Sequence, residues 1–129
     1  MREKVGKTGV GKLGEEQACR FLEEAGHVVL ERNYRSGHLE IDVITKSTDG
    51  LHFVEVKSRV APAPAAPEEN VGYLKQRRIV AAAKRYLHSG EKMSHFGQME
   101  VFFDVFSVIF EGEKVEVSWF PQAYIPINV

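Results

Sequence analysis

The sequence has one cysteine, Cys19, among 129 residues. That excludes an internal disulfide and any zinc site built on several cysteines. No apolar run is long enough to cross a membrane, and the charged N-terminal stretch has no apolar segment of the kind a secretion signal carries. A cytoplasmic protein is therefore expected. Net positive charge is also missing: 17 Lys and Arg against 18 Asp and Glu give −1, which argues against a generic high-affinity nucleic-acid binder. His27, His38, His52, His88 and His95 show no metal-ligand spacing, and the chain has no internal repeat.

One phosphate-binding pattern is incomplete. Residues 6–14, GKTGVGKLG, match the spacing of a nucleotide loop up to Gly11-Lys12, but Leu13 stands where a Ser or Thr must hold Mg²⁺. No buried strand precedes it. The stretch reads instead as a flexible leader, residues 1–10, with its glycines as spacers before a helix. Lys7 and Lys12 are at most weak phosphate contacts. A small-molecule nucleotide is not an expected partner.

Residues 11–129 are expected to form one domain, long enough to bury a core without staples. The spacing of Gly14, Ala18, Phe21, Leu22 and Ala25 predicts a helix over 11–25, with Glu15 at the edge of its apolar arc. Strand-like runs follow at 27–34, 38–45 and 51–57, the last two joined through Asp49-Gly50. Residues 60–70, VAPAPAAPEEN, read as a loop. Ile79, Val80, Ala83, Tyr86 and Leu87 make one arc of a second helix over 71–89. Residues 101–110, VFFDVFSVIF, are apolar on both faces and read as a central strand, and 115–120 as the last. The order α-β-β-β-α-β-β predicts an α/β fold with a mixed sheet flanked by helices.

Charge is distributed unevenly along this frame. Residues 71–90 carry Lys75, Arg77, Arg78, Lys84 and Arg85 and no acid. A basic helix face opposite the apolar arc is a solvated surface or a phosphate-contacting one, and Lys75, at the border of the arcs, is the best single contact. Gln76 falls within the apolar arc, where a polar group needs a partner. Asp104, in an apolar strand, reads as a satisfied structural carboxylate.

The chemistry concentrates in HLEIDVITKSTDGLHFVEVKSR. With Asp49-Gly50 as the central turn residues, Thr48 pairs with Leu51, and Asp42 falls opposite Lys57 and diagonal to Glu55, all on one face. A slip of two residues would put Asp42 opposite Glu55 on the same face, and a slip of one would separate them. Two close carboxylates in an apolar hairpin favour a hard divalent cation such as Mg²⁺, and a neighbouring ammonium can orient water. The plain alternative is a surface ion ladder. Glu40 shares the face as an outer neighbour.

Asp42, twelve residues, then Glu55-Val56-Lys57 resembles the PD-(D/E)XK nuclease signature. The wider frame is Gly14-Glu15, Ala18, Leu22, Gly26, Asn33-Tyr34-Arg35, Glu40-Ile41-Asp42, Phe53 to Arg59, Lys75 and Tyr86-Leu87. It resembles the YraN-like family of uncharacterised bacterial proteins, assigned to the restriction-endonuclease-like fold and similar to Holliday junction resolvases. The likeness runs from about Gly11 to Phe120; Leu39 replaces the family's usual glycine before Glu-Ile-Asp. It implies that Asp42, Glu55 and the Val56 backbone carbonyl bind Mg²⁺ (or Mn²⁺), that Lys57 positions the attacking water, and that Glu15 supports the site. Glu40 and Gln76 would flank it. The implied function is a Mg²⁺-dependent nuclease acting on DNA, selective for branched or junction structures in repair or recombination, with a homodimer among its partners. The alternative is a non-catalytic nucleic-acid-binding or assembly module that retains the fold.

Overall fold

A computed structural model describes residues 9–62 and 72–124. Along the chain lie α1 (Gly9–Glu24), β1 (Val28–Ser36), β2 (Leu39–Ser47), β3 (Gly50–Val60), α2 (Tyr73–Leu87), α3 (Lys92–Phe96), β4 (Val101–Glu111) and β5 (Lys114–Tyr124). The strands form one sheet in the order β1-β2-β3-β4-β5, with β3 and β4 parallel and every other neighbouring pair antiparallel. The expected α/β class, mixed sheet and element order are borne out, with five-residue α3 added. Parallel strands need a crossover connection, and the segment bearing α2 supplies it.

Each face of the sheet has its own core. On one, Ala18, Cys19 and Leu22 of α1 pack with Val43, Val54, Phe106 and Val108. On the other, Ile79, Val80, Ala82, Ala83 and Tyr86 of α2 cover Leu39, Ile41, Ile44, Leu51, Phe53 and Phe103. This two-sided burial is why VFFDVFSVIF lacks alternation. Phe53 stacks on Phe103 at 5.6 Å and meets the edge of Tyr86 at 6.1 Å. Burying a side chain of this size contributes about 1.5–3 kcal/mol.

The helix at the front begins two residues earlier than the spacing predicts, so Gly9 is helical and not a spacer. Lys12 is exposed on α1, and Lys7 lies outside the described residues. Helix α1 approaches β3 most closely at Gly14, where a β-carbon would overlap the Ser58 hydroxyl and press on Val56. A larger residue there would have to displace the Ser58 side chain, and the next residue, Glu15, is seated at 2% exposure.

The turn between β2 and β3 departs from expectation. Ser47 pairs with Gly50, so Thr48-Asp49 and not Asp49-Gly50 form the two-residue loop, and the ladder is shifted by two. Side chains and a third strand decide this. The Asp49 carboxylate accepts from the Ser47 hydroxyl and faces His52 Nε2 at 2.9 Å, which pins Asp49 inside the turn. Gly50, at φ +145°, then lies against the Glu100 carbonyl, which accepts the Leu51 N–H at 2.9 Å. A methyl on Gly50 would run into that carbonyl oxygen. Gly50→Ala is therefore expected to cost about 2 kcal/mol or more, read as a lower midpoint in urea denaturation.

Candidate active site

The two-residue shift brings Asp42 level with Glu55, not Lys57. The β2–β3 ladder runs from Ser47↔Gly50 to Val43↔Val54 and stops there. Beyond it, Leu39 to Ile41 pair with β1, while Glu55 to Val60 pair with β4. The strands therefore fork at the level of Asp42 and Glu55. At the fork Asp42 Oδ2 accepts the Val56 N–H at 2.8 Å, so a carboxylate replaces the missing rung. In an extended strand a residue's C=O points to the same side as its N–H, which turns the Val56 carbonyl toward Asp42 as well.

A reversal in the outer hairpin sets Asp42 at this point. Asn33 adopts a left-handed φ of 56°, and the β1–β2 pairs Arg32↔Val43 and Tyr34↔Ile41 bracket Asn33 and Asp42. Arg32 lies toward α1, 3.8 Å from Glu16, while Tyr34 meets Tyr86 of α2 at 5.2 Å. On β2, Ile41 belongs to the α2-side core and Val43 to the α1-side core. Both strands change faces across one residue, and Asp42 occupies the change. A non-glycine residue at positive φ is uncommon, and asparagine is among those that tolerate it best.

Glu55 shares its face of β3 with Leu51 and Phe53, under α2, and both it and Asp42 are 8% exposed. Burial, then the nearby charge of Asp42, raise the Glu55 pKa from 4.5 to about 7, even though Lys75 and Lys57 pull it down. Lys75 Nζ is 3.4 Å from Glu55 Oε2. The residue that the sequence offers as a phosphate contact is thus also the carboxylate pair's counter-ion. Lys57, half-buried, follows Glu55 on the same face. Glu15 rides on α1, on the side of the sheet opposite Lys75, next to the Gly14–Ser58 contact.

Other expected residues take outer places. Glu40 meets Arg35 at 3.8 Å on the β1–β2 hairpin. Gln76, partly buried, is on α2 beside Lys75. Arg77, Arg78, Lys84 and Arg85 are exposed along α2; the Arg77 guanidinium lies 5.7 Å from the Tyr73 ring centre and Arg85 donates to the Ser36 carbonyl at 3.3 Å. The basic face predicted for this helix exists as a surface.

A hard divalent cation fits the donor set. Two buried carboxylates and a backbone carbonyl are all oxygen ligands, the kind a hard cation takes. Among the described residues no group of three or more His, Cys, Asp or Glu side chains is gathered to hold a metal ion.

A family model matches residues 14–108. The chain belongs to the uncharacterised protein family UPF0102. Members in Anaeromyxobacter dehalogenans, Myxococcus xanthus and Dictyoglomus turgidum are similar to it at 38%, 39% and 39% identity. These alignments cover 92%, 88% and 89% of this chain and 86%, 87% and 96% of the relatives. The UPF0102 match spans Glu15, Asp42, Glu55, Lys57 and all of α2, and ends before β5. Among the described residues no helix is long and apolar enough to cross a membrane.

A second buried polar cluster was invisible in the sequence, since its members come from β2, β3, β4, β5 and two turns. His52 Nδ1 faces Asp104 Oδ2 at 2.6 Å and Nε2 faces Asp49. Burial pulls the His52 pKa down, but its two carboxylate partners prevail and it lies above the ordinary value. The His27 ring is tilted against it at 4.6 Å and holds Thr45 Oγ1 at 2.6 Å, and its pKa is depressed by burial and the His52 charge. Asp104 also accepts Trp119 Nε1 at 3.0 Å and the Gln122 N–H at 2.9 Å, which bears out its reading as a satisfied structural carboxylate.

Proposed function

We propose that this protein is a Mg²⁺-dependent nuclease that hydrolyses phosphodiester bonds of DNA, with branched or junction DNA as its preferred substrate. The observation that carries the reading is the buried Asp42–Glu55 pair at the β2–β3 fork, followed on Glu55's face by Lys57. Asp42, Glu55 and the Val56 carbonyl would hold the cation, which when bound supplies charge neutralisation and an acidified water. Lys57 orients the attacking water beside Glu55, and its fixed positive charge favours the more negative transition state. Lys75 offsets the Glu55 charge until a phosphate competes for its ammonium. Glu15 supports the pair from α1, with Glu40 and Gln76 outside it.

The exposed row of Arg77, Arg78, Lys84 and Arg85 is suited to a nucleic-acid backbone, and gives the acidic chain a basic face that leads from Lys75 toward the β1–β2 turn. Arg77→Ala with Arg78→Ala is expected to weaken DNA binding uniformly across sequences. The slope of log affinity against log salt should flatten by roughly one for each phosphate the variant no longer neutralises, measured by fluorescence anisotropy.

Purified protein with Mg²⁺ or Mn²⁺ should cut at least one of a panel of linear, flapped and four-way-junction DNAs, and chelation should stop it. A panel left wholly uncut removes the enzyme reading. Salt-dependent binding with no cleavage, unchanged by Glu55→Ala, would favour the non-catalytic binding module.

A further inference from the structure

The fork has a neighbour on β5 that neither the motif nor the family match reaches. Tyr124 pairs with Phe103 and stacks on it at 5.6 Å, and Phe103 stacks on Phe53, two residues before Glu55. The next row across the sheet is Glu55, Val105 and Phe120. Tyr124 thus lies on the α2 face two strands across from Glu55 and one row along. Its hydroxyl oxygen is buried and has no hydrogen-bond partner among the described residues. Buried hydroxyls are nearly always paired, and among the described residues this one is left available to a further partner. Burial, and after it the Glu55 charge, raise the pKa of the phenol, which keeps it a proton donor at neutral pH.

Strand β5 is bent to achieve this placement. Between Phe103↔Tyr124 and Val105↔Phe120 the register slips, so four steps of β5 oppose two of β4. Gln122 sits at φ 52° in the irregularity, and its N–H bonds Asp104 Oδ1. Asp104 is in turn held by His52 and Trp119. Bulges re-aim side chains, commonly beside active sites, and this one is clamped by a fully buried carboxylate. The Asp104 cluster thereby fixes the bend that sets Tyr124 against Phe103 on the α2 face.

We infer that Tyr124 is a further catalytic residue, its hydroxyl donating a hydrogen bond to a non-bridging oxygen of the phosphate bound beside Glu55. The inference rests on the nuclease reading of that pair. The hydroxyl gains most as negative charge builds on the phosphate, so it acts on turnover more than on binding.

Tyr124→Phe removes only the oxygen. On the DNA that wild type cuts, kcat should fall about a hundredfold with little change in KM. The melting temperature should be unchanged or higher, because a donor without an internal partner is lost. Inorganic phosphate with Mg²⁺ should raise the melting temperature of wild type and not of the variant. Wild-type kcat in a stably folded variant overturns the inference and leaves the nuclease reading standing. A clearly lower melting temperature also overturns it, since the hydroxyl would then have a structural partner. If wild type cuts no DNA yet phosphate protects it and not Tyr124→Phe, the nuclease reading fails while the phosphate contact stands.

Discussion

Asp42→Asn should abolish metal-dependent cleavage, by at least about a thousandfold in turnover, while leaving the protein folded. The large effect follows from removing one of two buried carboxylates and with it half of the charge available to a divalent cation. Losing a single well-placed electrostatic group elsewhere in catalysis costs roughly 10²–10³, and a ligand does more. The fold survives because the asparagine amide oxygen still accepts the Val56 N–H that Asp42 Oδ2 now holds at 2.8 Å. Asp42→Ala, in contrast, deprives that N–H of its acceptor and should cost a further ~1–2 kcal/mol. A spectroscopic readout separates site from scaffold. After burial, the Asp42 charge is what most raises the Glu55 pKa, so Asp42→Asn should bring the Glu55 carboxyl down from about 7 toward its ordinary value, measured by NMR titration. A Glu55 titration indifferent to Asp42 would mean that the two carboxylates do not share a site.

Without added metal, stability should fall as pH rises from about 5 to 8, and Glu55→Gln should remove most of that fall. Glu55 has a folded pKa of about 7 against an unperturbed 4.5. The folded state therefore keeps the proton longer than the unfolded chain. Its contribution is fully present below the unfolded value and is lost as pH climbs through the folded one, a difference of about 3 kcal/mol in all. The raised His52 pKa slopes the same way and the depressed His27 the opposite way, so the comparison with Glu55→Gln isolates the carboxyl. At pH 8 Glu55→Gln should be more stable than wild type, by urea denaturation. Millimolar Mg²⁺ should recover stability in wild type only. A pH profile that the substitution leaves untouched would show that Glu55 ionises freely.

Cation removal has a matching signature in these two results: chelator should silence cleavage and steepen the pH dependence together. The same carboxylate pair that destabilises the empty fold at neutral pH is what gives a divalent cation its affinity. This is the stability cost expected of a site built from like charges in a low-dielectric pocket.

Element types were legible because periodicity is a local property. The apolar arcs of the two helices, the alternation of the strands and the doubly apolar VFFDVFSVIF all report what each segment must bury. Alternation also put Asp42, Glu55 and Lys57 on one face, while a catalytic role for them came from the resemblance to the nuclease signature. Element ends were less so. The last strand continues through Pro121 to Tyr124, since Asp104 holds the irregular backbone there in a way no β5 residue signals.

The sequence alone determined the α/β order, a basic helix face, and a carboxylate pair with a following lysine on one hairpin. Tertiary structure decided how they meet. The turn register depends on His52 of β3 gripping Asp49 and on Glu100, from the segment before β4, closing over Gly50. The face reversal at Asn33 and Asp42 breaks the strict alternation that any reading of a strand assumes. Lys75 reaches Glu55 only once α2 is laid over the sheet, and Tyr124 meets Phe103 only once β5 is bent around Asp104. The Lys75–Glu55, Glu100–Gly50 and Asp104–Gln122 contacts join segments distant in the chain. Such contacts are set by packing and charge, on which local periodicity carries no information.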